Sequence, residues 1–263
     1  MAARGRVSLV ALAMSASIVA QSEAERPGRY VSFVACPEFR NTVRQCWLAQ
    51  YQGKTYYIGA FGIGTPPQLL HQVLVEGMAH DDEMSCGAVN IDPVHVSPLP
   101  EITDACNTVL PDNGTAPREG SLFDLPAAVL ARNGSDVPSP PPLRANTVFT
   151  VGFDFDRAIL NLANQARVEM AARAIMGSPV KRVIVSGRAG QSRLSDGTVM
   201  TEVPGIAAKR IAAVGNALIA IGVRPDKVEM RQAGIAASTD PIQGVESRDV
   251  AIEVVLAPSR TGS

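Results

Sequence analysis

The hydrophobic pattern is most regular between Val148 and Leu256. Positions 149, 151, 153 and 155 are apolar and alternate with polar or small residues, the period of a strand with one buried face. From Arg157 to Met176, and again from Ile206 to Gly222, apolar residues recur at intervals of three and four, which predicts two helices. The runs KRVIVSG, KVEMRQAG and VAIEVVL are typical of strands. The order βαβαββ predicts a two-layer α/β sandwich with helices on one face of a mixed sheet.

The segment from Tyr30 to about Leu110 has a different pattern, in which short apolar runs are separated by turn residues. The runs RYVSFVAC, CWLAQYQ, KTYYIGAF, HQVLVEGMA and GAVNIDPVHV are rich in the residues that strands favour. QGK between Tyr51 and Thr55 indicates a hairpin, because glycine accepts the positive φ of a tight turn. We expect a small closed or half-open β-barrel, of which the OB fold is one form, so that the whole chain is an α+β protein.

The ends of these regions predict the domain organisation. Residues 1–24 are typical of a secretory signal peptide, with Arg4 and Arg6 before an apolar run too short to span a bilayer. The stretch 111–146 contains NGT, NGS and VPSPPPL and is typical of an extended linker. We therefore predict a β domain over 25–110 and an α/β domain over 147–258, with no transmembrane segment in the mature, exported chain.

All four cysteines, Cys36, Cys46, Cys86 and Cys106, lie in the predicted β domain. An even number confined to one region of an exported chain favours two disulfides. Three pairings are open, and the shorter loops favour Cys36 with Cys46 and Cys86 with Cys106. A metal site is not expected, because there is no C-x-x-C pair and the three histidines are scattered.

The charge of the chain excludes one class of partner. The whole chain has a formal net charge of −1, but residues 25–146 contain 8 basic and 13 acidic residues, giving −5. Residues 147–263 contain 14 basic and 11 acidic residues, giving +3. Neither region has the strongly positive balance typical of nucleic-acid binding, so we expect no nucleic-acid partner.

Three pieces of the C-terminal region resemble the C-terminal domain of the OmpA family. They are FDFD at 153–156, RIAAVGNALIAIGV at 210–223 and RDVAIEV at 248–254, within a resemblance of about 110 residues. The resemblance implies a βαβαββ domain that tethers the outer membrane of Gram-negative bacteria to peptidoglycan. It also implies a location in the periplasm or at the outer membrane, as a component of the cell envelope.

In that family the second strand runs into a Gly-His-Thr-Asp-like motif, whose aspartate binds the ammonium and amide side of diaminopimelate in a stem peptide. Here the motif's place is occupied by residues 187–190, which read GRAG, so that Gly190 replaces the aspartate. Arg210 stands where the family has a helix arginine that holds the diaminopimelate carboxylate, a task that suits the paired donors of a guanidinium. The candidate peptidoglycan-binding residues are Arg210, which the resemblance implies, together with Arg188, Asp196, Gly187 and Arg248.

Other roles for these residues stay open. Asp196 is a candidate to replace the lost carboxylate, whereas Arg210 is alternatively a solvated helix-face charge that pairs with Asp196 or Glu202. The function is then either anchoring to peptidoglycan through Arg210 and a modified loop at 188–203, or a periplasmic protein-interaction or oligomerisation module that has lost this binding. The β domain is expected to meet other envelope proteins.

An enzyme is the third hypothesis, and the sequence gives it little support. G-x-S-x-G, HExxH and the phosphate-binding P-loop are all missing from the sequence. A nucleophile, a base and an orienting group cannot be placed together from the pattern. We therefore expect a non-enzymatic protein without a cofactor.

Overall fold

The computed structural model describes residues 28–42, 45–59, 65–117, 140–233 and 245–258. The predicted signal peptide at 1–24 and the central part of the predicted linker, 118–139, lie outside the described residues. In the ranges that are described, no helix is both long enough and apolar enough to cross a membrane.

The N-terminal unit is a seven-stranded sheet in the order β1-β5-β6-β4-β3-β2-β7. Its strands are β1 (Arg29–Ala35), β2 (Pro37–Arg40), β3 (Cys46–Tyr51), β4 (Lys54–Tyr57), β5 (His71–Ser85), β6 (Ala88–Ile102) and β7 (Thr108–Leu110). β5 and β6 pair antiparallel and form the longest ladder of the sheet. Alternate residues of β3 serve two hydrophobic clusters, since Leu48 packs with Cys46 and Tyr57 while Ala49 packs with Val31 and Phe33.

This sheet is open, so the expectation of a closed barrel is wrong. β1 and β7 are the two edges and do not pair with each other within the described residues. The apolar runs HQVLVEGMA and GAVNIDPVHV predict short strands, whereas β5 and β6 continue through polar residues as strands of 15 residues each. The outer edge of β1 is protected in another way, because Ser32 exchanges hydrogen bonds with Ser195 of the C-terminal unit.

The prediction of two disulfides is confirmed, but the favoured pairing is wrong. The bonds join Cys36 to Cys106 and Cys46 to Cys86, with Cα–Cα distances of 4.7 and 6.1 Å. β2 pairs in parallel with β7, with Glu38 opposite Thr108, so that Cys36 and Cys106, each two residues earlier, lie side by side. In the antiparallel ladder between β2 and β3, Cys46 instead lies opposite Arg40. Strand pairing, rather than loop length, therefore decides which thiols meet.

The C-terminal unit has the predicted order βαβαββ, with one added hairpin. Its elements are β8 (Thr147–Val151), α1 (Leu162–Met176), β9 (Val180–Gly187), the hairpin strands β10 (Gln191–Arg193) and β11 (Val199–Thr201), α2 (Ile206–Ile221), β12 (Val228–Gln232) and β13 (Val250–Leu256). The main sheet has the order β12-β9-β13-β8, with β12 parallel to β9 and β13 antiparallel to both of its neighbours. Both helices contribute to one core with the strands.

Local signals set the bounds of both helices. α1 begins five residues later than the apolar pattern predicts, because the side chain of Asn161 accepts a hydrogen bond from Asn164 N and caps the helix there. α2 begins at Ile206, as predicted, after Gly205 with a φ of 86°. It ends at Ile221, and Gly222 follows with a φ of 124°, a conformation that side chains other than glycine rarely adopt.

Candidate functional site

The candidate site lies at one end of the α/β sheet, where β8 and β9 end and β13 begins. Val250, the first residue of β13, is opposite both Val151 and Gly187, the last residues of its two neighbours. Three loops therefore meet at this end: 152–157, 188–190 and 245–249. The β10–β11 hairpin and the first turns of α2 complete the site.

Arg210 is fully buried in the middle of this end, with 0% exposure. Its Nη1 donates to Glu202 Oε2 at 2.8 Å, and its Nη2 donates to Glu202 Oε1. The same guanidinium also donates from Nε to Arg157 O and from Nη2 to Asp154 O, both at 2.8 Å. Pairing with Glu202 was one of the two alternatives for Arg210, but the pair is buried rather than solvated. No free edge of the guanidinium faces solvent.

Glu202 receives two further hydrogen bonds from backbone amides. Gly190 N donates to Oε2 at 2.7 Å, and Asp156 N donates to Oε1 at 2.9 Å. Asp156 adopts a φ of 54° and accepts a hydrogen bond at its own Oδ1 from Val203 N at 2.7 Å. A single buried carboxylate thus receives donors from two loops and from α2. We call these four donors around Glu202 the carboxylate cradle.

The surroundings of Gly190 leave no space for a side chain at this position. A Cβ atom at Gly190 would lie 2.5 Å from Ser247 Oγ and 2.8 Å from Arg248 Cγ, closer than real Cβ contacts. An aspartate would therefore require the 245–249 loop to move.

Arg248, the second buried arginine, links the two units of the chain. Its Nη2 donates to Glu76 Oε2 at 2.5 Å and to Ser192 Oγ at 3.1 Å, and both members of the arginine–glutamate pair are nearly free of solvent. Ser192 in turn donates to Glu76 Oε1 at 2.7 Å. Glu76 belongs to β5 of the N-terminal sheet, so this pair crosses between the units.

Backbone contacts extend the same interface on both sides of Arg248. Phe155 N donates to Ser97 Oγ at 2.9 Å, and Arg157 Nε donates to Pro98 O at 2.8 Å, which ties the 152–157 loop to β6. Ser195, in the turn between β10 and β11, donates from its N to Ser32 O at 2.7 Å and accepts at Oγ from Ser32 N at 2.9 Å. The N-terminal sheet therefore covers the end of the α/β unit at which the resemblance places a ligand.

A histidine and an aspartate also meet at this interface. His95 Nε2 lies 3.6 Å from Asp154 Oδ1 and makes no hydrogen bond. Burial, and then the charge of Arg248, lower the pKa of His95 to about 3. Burial raises the pKa of Asp154, although hydrogen bonds from Thr65 oppose the rise. The imidazole is thus neutral at pH 7, and the two groups are neighbours rather than an ion pair.

The other predicted site residues are divided between the interior and the surface. Gly187 ends β9 and is buried, and a Cβ there would lie 3.1 Å from Val250 Cγ2. Arg188 is exposed. Asp196 is exposed and caps a turn through a 2.8 Å hydrogen bond from Thr198 N, which lowers the pKa of Asp196, and no bond joins it to Arg210. Asp196 therefore does not replace the missing aspartate.

Sequence reasoning missed Glu76 as a site residue. Its signal was a single acid inside the apolar run HQVLVEGMA, where a buried charge needs a partner. Glu202 was named only as one of two partners for Arg210. Among the residues that the structure describes, no cluster of His, Cys, Asp and Glu could hold a metal ion.

Comparison with known proteins gives distant structural likenesses. No protein-family model and no curated protein matches this chain. It is similar to the OmpA-like domain of FopA1 from Francisella tularensis subsp. tularensis SCHU S4, at 19% identity and a TM-score of 0.33, over 43% of this chain and 77% of that one. It is also similar to the peptidoglycan-associated lipoprotein from Burkholderia pseudomallei, at 22% identity and a TM-score of 0.34, over 41% and 90%.

A third likeness is to the periplasmic domain of Helicobacter pylori MotB, at 19% identity and a TM-score of 0.33, over 45% of this chain and 81% of that one. At TM-scores this low, none of the three says what this chain binds.

Proposed function

We propose that this chain is a non-enzymatic protein of the bacterial cell envelope in which the α/β unit is a protein-interaction module that does not hold peptidoglycan through Arg210. The proposal rests on the burial and the hydrogen bonds of the Arg210 side chain. Arg210 has 0% exposure, and Glu202, Asp154 and Arg157 accept its hydrogen bonds. A diaminopimelate carboxylate would have to displace an internal carboxylate that already has four donors.

The location in the envelope rests on separate observations. Residues 1–24 are typical of an export signal, and the two disulfides favour an oxidising compartment. The resemblance of three sequence pieces to the OmpA family favours the periplasm or the outer membrane. No enzyme is proposed, because the buried charged groups of the site, Arg210 with Glu202 and Arg248 with Glu76, are engaged in structural ion pairs.

Exposed apolar side chains around the start of α1 support an interaction role. Ile159, Leu162 and Met170 are 73%, 46% and 46% exposed. Leu162 and Met170 are eight residues apart and so lie within one side of the helix. An exposed apolar surface of this kind is typical of a site for a protein partner.

The test is sedimentation with purified sacculi that contain diaminopimelate, using the protein without residues 1–24. We expect the wild type to remain in the supernatant at moderate salt, and Arg210→Ala to do the same at a temperature at which circular dichroism shows that the variant is folded. Arg224→Ala is the matched control, because Arg224 lies in an exposed pair with Asp226. Sedimentation of the wild type that survives moderate salt and falls in Arg210→Ala would overturn the proposal and favour anchoring to peptidoglycan.

A further inference from the structure

β12 forms one edge of the main α/β sheet. It pairs in parallel with β9 alone among the described strands. We propose that β12 is the surface through which two copies of this chain associate, by antiparallel pairing of one β12 with the other about a two-fold axis at Met230. The inference rests on the proposed function and deepens it, since it names a partner for the interaction module and the strand that meets it.

The backbone of β12 directs hydrogen-bonding groups outwards at the positions that this pairing needs. In the parallel ladder Gln232 lies opposite Gly187, and Ala233 N donates to Gly187 O at 2.9 Å. Odd-numbered residues of β12 therefore direct their N–H and C=O groups towards β9, and Met230 directs its own outwards, because these directions alternate along a strand. A second, antiparallel β12 with its Met230 opposite this one then exchanges two hydrogen bonds at the axis.

The charged side chains of β12 are self-complementary in the same register. Glu229 and Arg231 are both exposed, and Arg231 Nε donates to Glu229 Oε1 at 2.7 Å. This hydrogen bond lowers the pKa of Glu229, so that both groups are charged at pH 7. Rotation about Met230 places Glu229 of each copy opposite Arg231 of the other, in pairs without backbone hydrogen bonds, where side chains are closest. Four charges then alternate around the axis, and opposite charges at such positions stabilise paired strands.

Met230 supplies an apolar contact on the other face of the strand. Its side chain is 42% exposed and lies against Gly215 of α2, where an added Cβ atom would overlap Met230 Cε. The helix glycine therefore makes room for the methionine beside the sheet edge. In the dimer the two methionines are directly opposite, so that each covers part of the exposed apolar surface of the other.

The length of β12 limits the strength of the association. The strand has five residues, and its edge buries less than the roughly 800 Å² per partner that is typical of a stable interface. The dimer is therefore weak and forms in a concentration-dependent equilibrium. A two-fold interface uses the β12 edge of both copies, so that the assembly closes at two chains.

The experiment is sedimentation velocity of the protein without residues 1–24, at pH 7 and at concentrations from about 5 to 500 µM. We expect a monomer–dimer equilibrium in the wild type. Arg231→Glu puts like charges opposite each other at both positions and should raise the dissociation constant of the dimer about tenfold or more. Glu229→Arg/Arg231→Glu restores opposite charges and should return the constant to within about threefold of the wild type.

Arg173→Glu is the matched control. It changes the net charge by the same amount as Arg231→Glu and also disrupts an exposed pair with a glutamate, but it lies on α1, which packs beside β8 at the opposite edge of the sheet. The dissociation constant of this variant should equal that of the wild type.

A cysteine at the axis tests the register independently. Met230→Cys would place the two Cα atoms about 5.5 Å apart across the dimer, within the range of a disulfide, so mild oxidation should link two copies. Gln232→Cys, two residues from the axis, lies too far from its counterpart to form this bond. The four native cysteines are already in disulfides, and electrophoresis without reduction measures the linked fraction.

A wild type that stays monomeric over the whole range overturns the inference, and so does a double reversal that associates as weakly as Arg231→Glu. Equal association of all the charge variants overturns it as well, and would place the contact between copies elsewhere, with the exposed apolar side chains of α1 as the candidate. Failure of the proposed function has a different signature, because it would appear as specific sedimentation of the wild type with sacculi.

Discussion

At the scale of single residues, two buried arginines determine what this chain can do. The sequence placed Arg210 on a helix and Arg248 before the last strand, and both lie at the candidate site. The sequence left open what each arginine binds, because a guanidinium can bind a carboxylate of the same chain as well as a carboxylate of a ligand. The partners, Glu202 and Glu76, lie 8 and 172 residues away along the chain. Only the packing of the two units decides the second pairing.

The burial of Arg210 predicts a large cost for its removal. Arg210→Met leaves Glu202 buried without its cation, and we expect a loss of about 3–5 kcal/mol in the free energy of unfolding. Arg224→Met removes an exposed pair and should cost at most about 1 kcal/mol. Urea denaturation of both variants measures the difference. Equal and small losses would show that Arg210 is accessible to solvent.

Asp249 predicts a dependence of stability on pH. Burial, and then the charge of Glu246, raise its pKa from 3.8 to about 6. Because the folded pKa is raised, the stability from the bound proton is fully present below the unfolded pKa and is lost as pH rises through about 6. Asp249→Asn should therefore be more stable than the wild type at pH 8, by up to about 3 kcal/mol. The advantage should fall towards zero near pH 4, which unfolding titrations at both pH values would check.

His95 predicts a dependence of opposite sign. Its folded pKa of about 3 lies below the ordinary value of 6.5, so its contribution is present above pH 6.5 and is lost as pH falls towards 3. At pH 4 the wild type should have lost about 3 kcal/mol from this group. His95→Gln should lose correspondingly less between pH 7 and pH 4. A parallel decline in both proteins would mean that the imidazole is not buried in its neutral form.

At the scale of elements, the apolar pattern predicted the helices and strands of the C-terminal unit. It did not predict the features that depend on tertiary contacts. The order βαβαββ and the bounds of α2 follow from apolar spacing, from Pro204 before the helix and from Gly222 after it. The start of α1 does not, because the apolar pattern continues back to Arg157 while the Asn161 cap sets the boundary. The β10–β11 hairpin contacts the N-terminal sheet through Ser192 and Ser195, and local sequence does not encode such contacts.

The disulfides give a prediction at this scale. Peptide mapping without reduction should recover Cys36 linked to Cys106 and Cys46 linked to Cys86. These bonds span 70 and 40 residues, so removing either by a double change to Ala should cost about 4 kcal/mol if chain entropy dominates. A fragment that joins Cys36 to Cys46 would contradict the parallel pairing of β2 with β7.

At the scale of the whole molecule, the two units share one polar interior. Glu76, Ser97 and Ser32 from the N-terminal sheet meet Arg248, Phe155 and Ser195 from the C-terminal unit. Glu76 and Arg248 form an ion pair there, and His95 is neutral at pH 7. The sequence indicated two domains and a candidate site in the second. It did not indicate that the first domain covers that site, because such a contact arises from residues that are 58 to 172 positions apart along the chain.

The most direct test of this account is amide hydrogen exchange at Gly190 and Asp156, followed by NMR. Both amides donate to the buried carboxylate of Glu202, so they should exchange as slowly as amides in the core strands. Arg188, which is exposed two residues before Gly190, provides a nearby reference for the same loop. Slow exchange at Gly190 and Asp156 would support a site closed by its own chain. Exchange at these two amides as fast as at exposed loop amides would contradict this account. It would indicate that Arg210 is accessible to solvent.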